Sequence, residues 1–294
     1  MTPAELARKV RVIQVLSNKE VMEALAGRYR SIFRGRGMEF EEVREYQPGD
    51  DVRMIDQNVS ARMGRPFIKT YREEKELTIV VLADLSASGR FGSREVAKNE
   101  ATAEVCAFLT FVGIRNNAGV GLVTFTDRVE KSFPPGRGVP HALRLMRHIL
   151  SFEPERTGTD IAGALDFTGS MFKKRAVVFL VSDFLDSGFE KPLRMLSRRH
   201  DLVAVSVSDP LEAGLPNAGL LEIEDLETGE PVLVDTGSPT VRSHIGMLCR
   251  RRRLELKRIL NSAGVDEIRI KTEGPFLNEM VKFFKLRQKR RNGH

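Results

Sequence analysis

The stretch Leu77–Ser88 reads LTIVVLADLSAS. Seven residues suited to a dry interior, Leu77 to Ala83, run without a charge, and oxygen-bearing side chains then stand at every second position, Asp84, Ser86 and Ser88. An uncharged run of this length reads as a buried strand. The tail behind it lets successive side chains turn toward one point as the strand gives way to its loop.

Downstream, strand and helix signals alternate. AGVGLVTFTD (Ala118–Asp127), RAVVFLVSD (Arg175–Asp183), DLVAVSVSDP (Asp201–Pro210) and DEIRIKTE (Asp266–Glu273) read as strands, with RVEKSFPPG (Arg128–Gly136) as an edge partner. Helices are expected from a Ser93 cap to about Arg115, over His141–Leu150, Asp160–Phe172, Glu190–His200 and Pro239–Ser262, and at the C-terminus. LLEIEDLETGEPVLVD (Leu220–Asp235) is a hairpin turning at Thr228 and Gly229. This alternation predicts an α/β domain with a mostly parallel sheet flanked by helices. Upstream, Pro3 to about Phe33 carries helical spacing, with Thr2, Pro3 and Glu5 suited to its N-terminus. The segment that follows is crowded with charge, and its Pro48-Gly49 pair suits a type II turn. The expected division is therefore a helical and charged extension over residues 1–76 and the α/β domain over 77–294.

Three places put oxygen side chains where strands end or helices begin: DLSAS, TGTD (Thr157–Asp160) and the SDF that closes RAVVFLVSD. In an open parallel sheet, ligands gather beyond the carboxyl ends of the strands, so all three loops are expected at one crevice. Taken singly, each such residue reads as a turn or cap, and Thr159 and Asp160 suit the start of the helix they precede. Taken together, two carboxylates and three hydroxyls suit a hard cation such as Mg²⁺ or Mn²⁺, which prefers oxygen ligands.

Asp-x-Ser-x-Ser, a later Gly-Thr-Asp and a later strand-terminal Asp resemble the metal-ion-dependent adhesion site of von Willebrand factor type A domains. The resemblance implies Asp84, Ser86, Ser88, Thr159 and Asp183 as metal ligands. It also implies a binding switch in which an acidic residue of a partner completes the ion's coordination. The preceding EFEEVREYQPGDDVRMID (Glu39–Asp56) and SAR (Ser60–Arg62) are similar to the bacterial family of unknown function fifty-eight, although Gln57 stands where that family usually has Trp. Such a resemblance implies an adaptor or chaperone-like partner of a MoxR-type AAA+ ATPase. Arg44, Asp50, Asp51, Arg53 and Arg62 of this segment are expected to form a packed ion-pair network docking it on the main domain.

Other chemistries lack their motifs. There is no GxxxxGK[ST] or GxSxG, the position two residues after Asp84 is a serine rather than a second carboxylate, and the five histidines have no catalytic partner in sequence. The chain is expected not to be an enzyme, with a metal-dependent hydrolase as a distant alternative. A net charge of +7 from 47 basic and 40 acidic residues makes a surface dense in both signs, which does not favour a general nucleic-acid binder. The principal alternative is nonetheless a nucleic-acid-associated protein using the basic runs Arg250–Arg253 and Lys285–Arg291. Cys106 and Cys249 have no metal or redox spacing, and no apolar run approaches the length of a membrane span, so the cytoplasm is the expected location.

Overall fold

A computed structural model describes residues 38–73, 77–86, 97–152, 158–224 and 231–292. The helices expected near the N-terminus, Ser88, Ser93 and the turn expected at Thr228 and Gly229 lie outside them. The chain divides into two compact units, with the boundary between Leu77 and Thr78.

In the smaller unit, strand β1 (Met38–Glu45) pairs antiparallel with β2 (Phe67–Glu73). Gly49 takes φ +113° and the Asp50 N–H bonds the Gln47 carbonyl at 3.0 Å, the turn that Pro48-Gly49 predicts. Asp51 caps a 3₁₀ turn (Val52–Met54), and Asp56 caps helix α1 (Gln57–Met63), which Gly64 ends in the left-handed region at φ +67°. Ser60 of the SAR triplet accepts the Phe67 N–H at 2.8 Å, tying α1 to the start of β2. Of the expected ion-pair network, the described residues include a bidentate Arg44–Asp50 pair at 2.7 and 2.8 Å, and an exposed Arg65–Glu45 contact lies nearby in sequence. Asp51 caps instead of pairing, and neither Arg53 nor Arg62 makes an ion pair among the described residues.

The larger unit is built on a six-stranded sheet of β3 (Thr78–Asp84), β4 (Gly119–Phe125), β5 (Val129–Gly136), β6 (Val177–Ser182), β7 (Asp201–Ser208) and β10 (Asp266–Lys271). The spatial order is β10-β7-β6-β3-β4-β5, parallel except for the edge strand β5. Five of the seven residues of LTIVVLA are under 4% exposed because β3 is central and covered on both faces. Val80, Leu82, Val178 and Leu180 face one way, packing with helices α4 (Ile161–Met171), α5 (Glu190–Arg199) and α6 (Pro239–Ser262). Alternate residues face the other way, where Phe179 meets Phe284 of helix α7 (Phe276–Asn292) and Phe276 meets Phe108 of helix α2 (Lys98–Arg115). Helix α3 (Val139–Leu150) follows β5, and the hairpin β8 (Leu220–Glu224) and β9 (Pro231–Asp235) precedes α6.

One boundary departs from expectation. Helix α2 begins at Lys98, after an Ala97 N-cap with no side-chain hydrogen bond, rather than at a Ser93 cap.

Candidate metal centre

The sheet order places the ends of β3, β4 and β6 side by side. β3 is hydrogen-bonded to both neighbours, with Asp84 opposite Phe125 of β4 and Ala83 opposite Val181 of β6. Asp84 is therefore flanked by Ser182. The Ser182 hydroxyl donates to Asp84 Oδ2 at 2.5 Å and accepts the Phe184 N–H at 2.9 Å. The other oxygen, Oδ1, accepts the Ser86 N–H at 3.1 Å and the Ser86 hydroxyl at 2.7 Å. A hydroxyl that donates to a carboxylate still has lone pairs with which to meet a cation.

Asp183 follows β6 directly. Its Oδ1 accepts the Leu185 N–H at 3.1 Å, and Phe184 between them takes φ +56°. A left-handed non-glycine residue costs about 1–2 kcal/mol. Burial of Phe184, its ring packed 6.0 Å from Phe189, and its N–H on Ser182 offset that cost and fix the turn holding Asp183 at the rim.

The third loop reaches the same rim. The Asp160 N–H bonds the Thr126 carbonyl just past β4 at 2.7 Å, and Asp186 accepts the Ile161 N–H at 2.8 Å. Asp160 is committed to capping α4 through the Gly163 N–H at 2.8 Å. Thr159 beside it is half-buried and has no side-chain hydrogen bond among the described residues. Asp84, Ser86 and Asp183 are thus gathered at adjoining strand ends, Thr159 stands on a loop tied to the same rim, and Ser88 lies outside the described residues.

The electrostatics of this arrangement are uneven. Asp84 is buried, and that burial, with the negative charge of Asp183 nearby, pushes its carboxyl up to about 6 despite the hydrogen bonds from Ser182 and Ser86. Asp84 thus has no full positive charge against it, and among the described residues no group of three or more His, Cys, Asp or Glu side chains gathers as a metal cluster. Asp183, however, already holds one cation. Lys98 donates to Asp183 Oδ2 at 2.6 Å and to Glu212 Oε1 at 2.6 Å with its side chain 2% exposed. Burial opposes its charge, but the two carboxylates outweigh burial and hold the ammonium above the ordinary lysine range. Glu212 sits in a 3₁₀ turn (Pro210–Ala213) after β7, where it forms a capping box with Asp209.

Lys98, Ser182 and Glu212 were not legible as site residues. The adjoining Asn99, whose side-chain amide donates to the Ser86 carbonyl at 2.9 Å, escaped in the same way. Three of the five histidines make structural contacts. His148 meets Thr124, His141 the Val120 carbonyl, and His200 accepts the Ala176 N–H.

The chain is similar to Mycobacterium tuberculosis protein Rv1480, with 27% identity over 288 residues that cover 97% of this chain and 90% of that protein. Among solved structures it resembles BatB from Bacteroides thetaiotaomicron (12% identity, TM-score 0.47, 72% of this chain and 99% of that one) and the SpRpn10 VWA domain (12% identity, TM-score 0.36, 71% and 94%). These two likenesses are loose ones of fold. The architecture is α/β, with a mostly parallel sheet flanked by helices. Over residues 42–255, the charged segment from Glu42 together with most of the α/β unit matches one family model, and the chain belongs to that family, described as Protein of unknown function DUF58.

Proposed function

We propose that this protein is a protein-interaction module whose recognition element is a Mg²⁺ or Mn²⁺ ion held by Asp84, Ser86, Ser88, Thr159 and Asp183. The observation that carries this reading is the buried Asp84 carboxylate, raised to about 6 beside a second carboxylate at the same rim. When bound, the ion supplies a positive charge that a partner's carboxylate can complete. The chain's own residues prepare that event: Ser182 and Ser86 orient Asp84, the left-handed turn at Phe184 aims Asp183, and the cap at Asp160 positions Thr159. With only two acidic ligands, the ion's charge is matched but not exceeded, so a coordination position remains that a partner's carboxylate can take.

The partner we assign is a MoxR-type AAA+ ATPase, served as an adaptor or chaperone-like factor in the cytoplasm without catalysis by this chain. What supports that assignment is the resemblance of the charged segment Glu39–Asp56 and the family match, not the geometry of the rim. The test is titration calorimetry with MnCl₂ and MgCl₂, followed by capture of the ATPase with and without EDTA. Wild type takes up one ion per chain and captures its partner only with metal, whereas Asp84→Ala does neither while remaining folded. Metal uptake unchanged in Asp84→Ala, or capture indifferent to EDTA, rejects the reading.

A further inference from the structure

Lys98 sits where the proposed ion has to compete. Its ammonium lies 2.6 Å from an oxygen of Asp183, which is one of only two carboxylates proposed to neutralise the ion. The same ammonium lies 2.6 Å from Glu212, whose side chain is 29% exposed against 4% for Asp183. One cation is therefore shared between a buried acid of the site and a more solvated acid outside it. The helix gives Lys98 no local support, because it is the first residue of α2, where the unpaired N–H groups disfavour a positive charge. The two carboxylates hold it in that buried position.

The link to Glu212 extends further. Asp209, the cap of the Pro210–Ala213 turn, accepts the Leu211 N–H at 2.9 Å and the Thr272 hydroxyl at 3.1 Å. The turn that carries Glu212 is thereby fastened between the ends of β7 and β10. Glu212 is in this way a fixed second station for the ammonium, on a different strand end from Asp183.

We propose that Lys98 is the residue that sets how tightly this site holds a divalent cation, occupying Asp183 as a built-in counter-ion and being drawn to Glu212 when the ion arrives. This inference rests on the cation reading of the rim given above. Removing the ammonium leaves Asp183 without a counter-ion and the rim one charge more negative, so the ion binds more tightly. Neutralising Glu212 removes the station that draws the ammonium away, so Lys98 stays on Asp183 and the ion binds more weakly. A purely structural lysine would lower stability in both variants without shifting affinity in opposite directions.

The experiment is calorimetric titration of the full chain with MnCl₂ at pH 8, with circular dichroism and melting curves to establish folding. Relative to wild type, Lys98→Met is expected to bind Mn²⁺ at least tenfold more tightly and Glu212→Gln several-fold more weakly. The double variant K98M/E212Q removes one charge of each sign. It is expected to follow Lys98→Met, and it decides the matter if Lys98→Met alone does not fold. Equal or weaker binding in the lysine variants, with wild type binding normally, overturns the role of Lys98 and leaves the cation site standing. Mn²⁺ uptake by Lys98→Met where wild type takes up none supports the role of Lys98 and overturns a metal-dependent wild type. Uptake by neither overturns both.

Discussion

Asp84 receives three hydrogen bonds and is still short of stabilisation, because none of its donors carries a full charge. Its carboxyl stands at about 6 in the folded chain against 3.8 for an ordinary aspartate. Between those values the folded state keeps a proton that the unfolded state has released. The stability this contributes is complete below about pH 4 and is lost as pH rises through about 6, an effect of at most about 3 kcal/mol. In EDTA, wild type should therefore lose stability relative to Asp84→Asn between pH 4.5 and 7.5, as followed by urea denaturation, and Mg²⁺ should restore it to wild type alone. A constant difference between the two across that range refutes the account. The meeting of Asp84, Ser86 and Asp183 at adjoining strand ends was legible in sequence, because strand ends in a parallel sheet share one rim. Lys98 was not, since placing the helix start at Ser93 put it mid-helix, where a lysine is unremarkable. Beginning at an uncapped Ala97 instead makes it a buried cation on the wrong end of a helix, a conflict of the kind that function resolves.

At the scale of elements, the basic runs of α6 and α7 separate into structural and solvated parts. Arg253 makes a bidentate pair with Glu267 of β10, whose carboxyl burial would raise but which Arg253 and Ser206 hold below its ordinary value. Arg287 does the same for the last helix. It spans Asp201 at the start of β7 (2.6 Å) and Asp266 at the start of β10 (2.7 Å), with its guanidinium over the Phe283 ring. Arg287→Ala takes from two partly buried carboxylates the guanidinium they share and removes a contact that seats α7, so a loss of about 2–3 kcal/mol is expected by chemical denaturation. Arg287→Lys should recover only part of it, because an ammonium cannot repeat the planar fork. A loss under about 0.5 kcal/mol in Arg287→Ala would show the pairs to be worth no more than exposed surface pairs. The strands and helices of the α/β unit were legible from their periodicity, since the sheet buries its central strands on both faces. In the charged segment the Pro48-Gly49 turn was legible, but capping acids such as Asp51 and Asp56 look the same in sequence as members of an ion-pair network.

For the molecule as a whole, the two functional classes open in the sequence make opposite demands on the solvent. Arg250, Arg251, Arg252, Lys257 and Arg258 are exposed along α6 and make no ion pair among the described residues, so a polyanion could be drawn to them. Such an attraction acts through water and works by releasing counterions, and its affinity falls steeply with salt whether or not a divalent ion is present. A partner carboxylate meeting a cation at the partly buried rim is screened far less, and depends on that ion entirely. Two variants separate the cases. Reversing Arg250 and Arg251 to glutamate, on the solvated face of α6, should leave metal-dependent partner capture within about twofold of wild type at both 50 and 300 mM salt, while abolishing whatever weak nucleic-acid retention exists at low salt. Asp84→Ala should do the reverse, losing capture and keeping the salt-sensitive retention. If instead the α6 reversals abolish partner capture and the rim variant leaves it intact, recognition runs through the basic helix, and the carboxylates at the strand ends serve only the packing of the sheet.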